Sequence, residues 1–414
     1  MKSPIVQLVA GQTGLGAALN RESLSAWQMA KLQENLLFAQ DHAPFYQKRL
    51  ARCPIEGIRS PKDFAEAVPL MSAADLADPF DLLCVSPNQI SRIVSLPTSG
   101  TYQQKRIMFL KEELEATAAF FAAGMSAFVG KGQRTAILMR GHEPDTVADL
   151  LCRGLASIGA KASICWPIDD FSAAAEQIKG SDCVVGFPAH VRMLACLYPS
   201  LRPSMVLLSA DYVPQSLVDS IAALWQCKVV THYGLTETGF GCGVQCLCAE
   251  GYHMRDADFL FEIINPLTLQ PVPDGQEGEI VITTLARQAM PLIRYRTGDR
   301  ASRIIGSCPC GGHLPRLSKV MGRMQAPLHL ANGAMLTIEA LDERLFGLPS
   351  LLDYRGRLSQ KGDELVLAVF TQAKQYEALS IAIEQLLPEI VGLSLRFQNH
   401  PFPLETAKRK ILTD

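Results

Sequence analysis

The chain has 414 residues, 48% of them hydrophobic and 19% charged, which excludes a disordered chain and leaves room for two or three domains. Lys and Arg number 39 against 41 Asp and Glu, with no long basic run, so nucleic acid is not an expected partner. No stretch reaches the roughly 18 to 20 apolar residues of a membrane span. The opening "MKSPIVQLVAGQTGLGAALN" lacks a signal-peptide core, and twelve scattered cysteines fit a reducing compartment, so the expected location is cytoplasmic and not membrane-bound.

In chain order, residues 22 to 42 space their apolar side chains as a helix does, and Pro44 ends it. Residues 55 to 90 read as irregular, with Pro61, Pro69, Pro79 and Pro87. From about 112 an alternation begins. "KEELEATAAFFAAGMSAFVG" is helical, and "RTAILM" is a buried strand. Helices at 144–159, 171–180, 189–198 and 214–225 then alternate with strands "KASICW", "DCVVGF", "SMVLLSA" and "CKVVTHYG". Short apolar runs between helices of this length predict βαβ units and a parallel sheet. After 255 the texture changes to strands joined by Pro and Gly turns: "DFLFEIINP", "EGEIVITTL", "PLIRYRTGD". From about 323 a third texture follows, with helices at 337–347 and 376–390 and strands at 351–359, 364–371 and, last, 392–398.

Ligands of open parallel sheets bind beyond the carboxyl ends of the strands. That rule singles out Ser209, Ala210 and Asp211 after one strand, and Tyr233, Gly234, Leu235, Thr236 and Glu237 after the next. Tyr233 offers a ring face to a base. Glu237 is either a solvated loop carboxylate or a ligand for Mg²⁺ carrying phosphate oxygens. Asp299 in "YRTGD" is either a turn aspartate or an acceptor for ribose hydroxyls. "TSGTYQQKR", residues 98 to 106, has the small hydroxyl residues and cations of a phosphate cradle, without P-loop or dinucleotide spacing. Two Cys/His clusters, "GCGVQCLCAEGYH" and "GSCPCGGH", favour a closed structural zinc site over disulfides; free buried thiols are the alternative.

The set "TSGT", "YGLTE" and "YRTGD", in this order, resembles the adenylate-forming acyl-CoA ligases, and "HAPFYQKRL", "PLIRYRTGD" and "CPCGG" are most similar to their phenylacetate–CoA ligase subgroup. The resemblance implies an α/β fold. A large adenylate-forming domain would occupy residues 1–322, with αβ sheets and a β-rich lobe at about 240–322. A small mobile α+β lid would occupy 323–414. It implies that a small carboxylic acid is activated by Mg·ATP as acyl-AMP and passed to coenzyme A. Thr98, Ser99, Gly100, Thr101 and Lys105 would hold the β- and γ-phosphates. Ser209, Ala210 and Asp211 would border the adenine, with Tyr233 and Gly234 against it. Thr236 would touch the α-phosphate, Glu237 would hold Mg²⁺, and Asp299 would bind the ribose. Arg323 matches the start of the hinge. Lys408, with Lys410 as the alternative, would be the lid lysine that neutralises charge during adenylation. By the same matching, Cys246, His253, Cys308 and Cys310 would hold zinc, with Cys248 the nearest competitor. Phe240 and Gly239, Gly241 and Gly243 would lie near the acyl pocket, and a homodimer would be in keeping with the resemblance.

Three departures from the family pattern stand out. Tyr102, Gln103 and Gln104 occupy positions where Gly and Pro are usual, which weakens the expected grip on ATP. No acidic residue stands at Gln325 or Ala326 in the hinge, and the lid's Gly-rich segment is reduced to Gly333. Two rival expectations follow: an adenylating enzyme that loads a protein thiol, and a degenerate homologue that binds nucleotide or acyl groups without turnover.

Overall fold

In a computed structural model, which describes residues 3–96, 105–168, 170–322, 327–398 and 411–413, the expected alternation forms a parallel sheet flanked by helices. The chain divides into two compact units. The first holds residues 1–132, 141–161 and 232–323; the second holds 133–140, 162–231 and 324–414.

In the second unit, strands Arg134–Leu138, Cys183–Gly186 and Met205–Leu208 and the start of Lys228–Tyr233 pair in parallel in that order. Cys183–Gly186 and Met205–Leu208 are buried throughout and Arg134–Leu138 after its first residue, as strands covered on both faces require. Helices Phe171–Ile178, Pro188–Leu197 and Gln215–Trp225 bury Phe171, Val191, Leu217 and Trp225 in the same core. That core also takes Leu341, Leu345, Phe346, Leu365, Leu367 and Val369 from the C-terminal segment. There Asp353–Leu358 pairs antiparallel with Leu365–Phe370, which pairs in parallel with Leu393–Gln398. The expected last strand, 392–398, is not the last. Ile411–Thr413 adds to Asp353–Leu358 in parallel, and three residues are too few to show alternation in sequence.

Two charged groups join the C-terminal segment to the helices. Glu343 accepts from the main-chain N–H groups of Gln215 (2.7 Å) and Ser216 (2.9 Å), placing a carboxylate at a helix N-terminus. Arg192, fully buried, donates to the carbonyls of Phe346, Leu348 (3.0 Å) and Leu351.

In the first unit, Phe259–Ile264, Gly278–Thr284 and Tyr295–Ala301 form an antiparallel meander, the expected β-rich lobe. The long helix Arg21–His42 starts on an Asn20 capping box. It docks on the lobe through Asn35, which donates to the Thr284 carbonyl (2.6 Å), and Gln28, which donates to that of Asp256 (2.7 Å). Tyr46, in the "HAPFY" segment, is fully buried and donates to the Pro291 carbonyl (2.7 Å). The end of Lys228–Tyr233 begins a second antiparallel set, running through Gly243–Gln245, Tyr252–Met254, Arg316–Leu317 and Arg303–Ile304. Strands Arg92–Leu96 and Lys105–Phe109 form a hairpin that the sequence reading did not anticipate.

Candidate active site

The first unit brings Tyr233, Glu237 and Asp299 together around the loop that follows strand Lys228–Tyr233. Tyr233 donates its hydroxyl to Asp299 Oδ2 at 3.0 Å. Both are buried, and burial, then the Asp299 charge, pushes the Tyr233 phenol well above its ordinary range, so it serves as a donor. Asp299 is set by its own strand: its N–H donates to Thr297 Oγ1, whose hydroxyl donates to the Ile280 carbonyl (2.8 Å). Thr236 and Glu237 open the single helical turn Thr236–Thr238, which ends on Gly239 at φ 73°. Glu237 is 4% exposed, and Tyr295 donates its hydroxyl to Glu237 Oε1 at 3.0 Å.

Tyr295 was missed in sequence, although it stands in the quoted "RYRTGD". Burial in Tyr295–Ala301 alternates strictly, so Tyr295, Thr297 and Asp299 share the inward face. Two buried arginines were also missed. Arg255 pairs with Asp258 (2.9 Å) and donates to Thr117 Oγ1 and the Gly241 carbonyl (3.2 and 3.1 Å). Arg287 donates to the Glu237 carbonyl (2.5 Å) with its guanidinium 4.7 Å from the centre of the Phe109 ring. His232, beside the Phe120 and Phe121 rings, is held down to about 4 by burial and then by Arg255, so it is neutral at pH 7. Gly234 cannot be replaced by a larger residue: an added Cβ would lie 2.0 Å from the Phe240 carbonyl oxygen. Phe240 itself has φ 75°, an uncommon value for a ring-bearing residue, and Phe120 lies where a Gly241 Cβ would be (2.8 Å).

Ser209, Ala210 and Asp211 lie in the second unit, directly after strand Met205–Leu208, where the strand-end rule puts them. Ser209 is buried, Ala210 has φ 73°, and Asp211 Oδ1 accepts from the Tyr212 N–H (2.9 Å). Lys105 begins strand Lys105–Phe109. Thr98, Ser99, Gly100, Thr101, Arg323, Lys408 and Lys410 lie outside the described residues.

The cysteine and histidine positions converge. The ligand atoms of Cys246, His253, Cys308 and Cys310 all lie within 4.8 Å of one another. Cys246 Sγ is 3.5 Å from Cys308 Sγ, and Cys310 Sγ is 3.4 Å from His253 Nε2. Donors around a tetrahedral zinc, with Zn–S near ~2.3 Å, sit about 3.8 Å apart, so the set has the size of such a site. Pairing of Arg316 with His253 across two strands brings the Cys308–Cys310 loop over the histidine. A tight turn, Gly311 N–H to Cys308 carbonyl (2.8 Å), aims both thiols inward. Gly312 is obligatory there, since its Cβ would stand 2.7 Å from His253 Cε1. Burial, then Arg316, holds His253 down to about 4, keeping it in the neutral form that binds metal. Burial raises the Cys246 and Cys310 thiols. At Cys308 burial is outweighed by hydrogen bonds from the Cys310 main chain and the neighbouring thiols, and by Arg316, so that thiol lies below its ordinary value. Cys248 is exposed and outside the cluster.

Relatives named as ligases align with most of the chain. The chain is 25% identical over 355 residues to the phenylacetate-coenzyme A ligase of Thermus thermophilus, covering 81% of this chain and 78% of that one. This chain is a relative of the phenylacetate–coenzyme A ligases. The corresponding enzyme of Aromatoleum evansii is 25% identical over 421 residues, 93% of this chain and 92% of its own. Among solved structures, 2-hydroxyisobutyryl-CoA ligase in its postadenylation state, in complex with 2-HIB-AMP, superposes with a TM-score of 0.81 over 94% of this chain and 89% of that one, at 20% identity. The fold is therefore that of the adenylate-forming enzymes. No protein-family model matches the chain. Among the described residues no helix is long and apolar enough to cross a membrane.

Proposed function

We propose that this protein is an AMP-forming carboxylate–CoA ligase that activates a small carboxylic acid as its acyl-adenylate and transfers the acyl group to coenzyme A. One observation carries the reading at the level of the site. Two buried carboxylates, Asp299 and Glu237, each accept from a phenol hydroxyl beside the loop "YGLTE", which would give an acceptor for ribose hydroxyls and, separately, an oxygen ligand for a metal ion carrying phosphate.

The residues fit the groups they would meet. Asp299 would accept from ribose hydroxyls, with Tyr233 turning its carboxylate. Ser209, Ala210 and Asp211 would border the base. Thr236 would donate to the α-phosphate. Glu237, a hard oxygen ligand in a dry setting, fits Mg²⁺, which when bound would neutralise phosphate charge. The substrate carboxylate is already a nucleophile, so these residues orient and stabilise charge and need not remove a proton. Thr98 to Thr101 and Lys105 are assigned to the β- and γ-phosphates, Arg323 to the hinge, and Lys408 to the transferring phosphate, with the body at 1–322 and the lid at 323–414. Movement of that lid requires Arg192 to release the carbonyls of 346–351. Zinc in the Cys246–His253–Cys308–Cys310 set would be structural, since all four donors face one another. The cytoplasm is the assigned location.

A panel of carboxylic acids with ATP and coenzyme A, read as AMP release, tests the activity. Acid-dependent pyrophosphate exchange without acyl-CoA formation would point to a protein thiol as acceptor. No exchange with any acid would point to the non-enzymatic homologue that Tyr102, Gln103 and Gln104 suggest. Lys408→Ala is expected to slow exchange at least about a hundredfold, the scale of losing one charge-stabilising group; full exchange in that variant would remove the lysine from the mechanism.

A further inference from the structure

Three side-chain donors hold the 235–241 turn by its main-chain carbonyls. Thr117 holds Gly239 (3.0 Å), Arg255 holds Gly241 (3.1 Å) and Arg287 holds Glu237 (2.5 Å). They are not equivalent. Arg255 has a partner for its charge in Asp258. Arg287 is 6% exposed, and among the described residues no carboxylate forms an ion pair with it. Burying an unpaired cation is costly, and two other donors already fix the turn. A purely structural role would be met by a neutral side chain.

The surroundings confine Arg287 to one place. Its guanidinium lies on the Phe109 ring, and its Nη2 would be 3.8 Å from a Cβ at Gly239. Its own loop is pinned by Glu113 Oε1, which accepts from the N–H groups of Gln288 and Ala289 (2.8 Å each). Burial lowers the Arg287 pKa, and Glu113 and then Glu237 are the carboxylates whose charges oppose that shift.

We propose that Arg287 is a positioning residue for adenylation. By holding the main-chain carbonyl of Glu237, Arg287 fixes the direction in which the Glu237 carboxylate meets the metal ion of Mg·ATP. The proposal rests on the ligase reading, because it assigns Glu237 to that metal.

The test is calorimetric binding of ATP to the full chain at graded Mg²⁺, with AMP binding in EDTA as the metal-free reference. Arg287→Met should raise the Mg²⁺ concentration for half-maximal ATP binding about tenfold, the size of one charge-assisted hydrogen bond. AMP binding should stay within about twofold of the wild type, and Arg287→Lys should recover most of the loss by restoring a donor to the Glu237 carbonyl. An unchanged Mg²⁺ dependence in Arg287→Met, whatever its melting temperature, overturns the proposal. If that variant does not fold, Arg287→Lys alone should show a rise of about threefold from loss of the fork over Phe109, and no rise overturns it. A wild type that binds AMP but shows no Mg²⁺-dependent ATP binding overturns the ligase reading together with this proposal. Normal wild-type binding with an unaltered variant overturns the proposal alone.

Discussion

Two constellations hang on the antiparallel strands of the first unit, and they are built on opposite principles. In the cysteine–histidine cluster all four donor atoms point at one another, and Gly312 removes the last side chain that could intrude. Around Tyr233 and Tyr295 a phenol hydroxyl donates to each carboxylate, a bond of 3.0 Å that can lengthen or exchange when a ligand arrives. Soft donors in a closed set supply folding energy. Hard donors held by reversible hydrogen bonds supply a site that can change partners within a cycle. On the ligase reading the difference would separate stability from catalysis within one β-lobe, and it predicts that damage to one should leave the other nearly intact.

Removing a donor from the closed set should have the largest effect. Cys308→Ser is expected to lower the protein's zinc content to near zero and its stability by about 3 kcal/mol or more, since metal binding is folding energy. Stripping the wild type with a chelator should do the same. The fraction that remains folded should bind AMP with affinity within about twofold of the untreated protein. Purified wild type holding no zinc, with a melting temperature indifferent to chelator, would remove the metal half of the contrast.

Acid should strike the carboxylate region through His232, which is held down to about 4 by burial first and by Arg255 second. A base whose folded pKa lies below its unfolded value, near ~6.5, favours the folded state fully above that value. The advantage is lost as pH falls from about 6.5 to about 4, because the unfolded chain takes up the protons first. We expect a fall of about 2 kcal/mol over that window in denaturant titrations, below the full linkage value because side chains relax and water enters. His232→Gln should flatten the slope across that window. Equal slopes in variant and wild type would show that His232 takes up its proton in the folded state without penalty.

Legibility in the sequence differed between the two regions for physical reasons. The parallel strands announced themselves as short apolar runs between helices, and the two Cys/His clusters stood out because such residues close together have few other uses, while the choice of the four donors within them came from the family resemblance. Around the two carboxylates, Asp299 was named while Tyr295, four residues earlier on the same inward face, was not, although the period of two in Tyr295–Ala301 was there to be read. Arg287 carried no such signal. A single cation in a loop reads as solvated, and its burial depends on Phe109 and Glu237, 178 and 50 residues away in sequence, found only by folding. The pairing of Tyr233 with Asp299, 66 residues apart, is of the same kind.

The smallest expected effect is also the sharpest test of the carboxylate region. Tyr295→Phe deletes one hydroxyl and leaves the ring in the core, where it is 2% exposed. Losing a hydrogen bond to a charged group costs about 1.5 to 3 kcal/mol when its acceptor stays dry. Here Glu237 would instead turn toward a bound cation, so the effect should be nearer 1 kcal/mol, a fivefold weaker response to Mg²⁺ in ATP binding. Zinc content should not move. Tyr233→Phe should act on the other carboxylate, weakening AMP binding by a similar factor in the absence of metal while leaving the Mg²⁺ dependence alone. If both phenylalanine variants weakened AMP and Mg²⁺ responses alike, the two phenols would be parts of one packed core, and the division of labour between Asp299 and Glu237 would have to be given up.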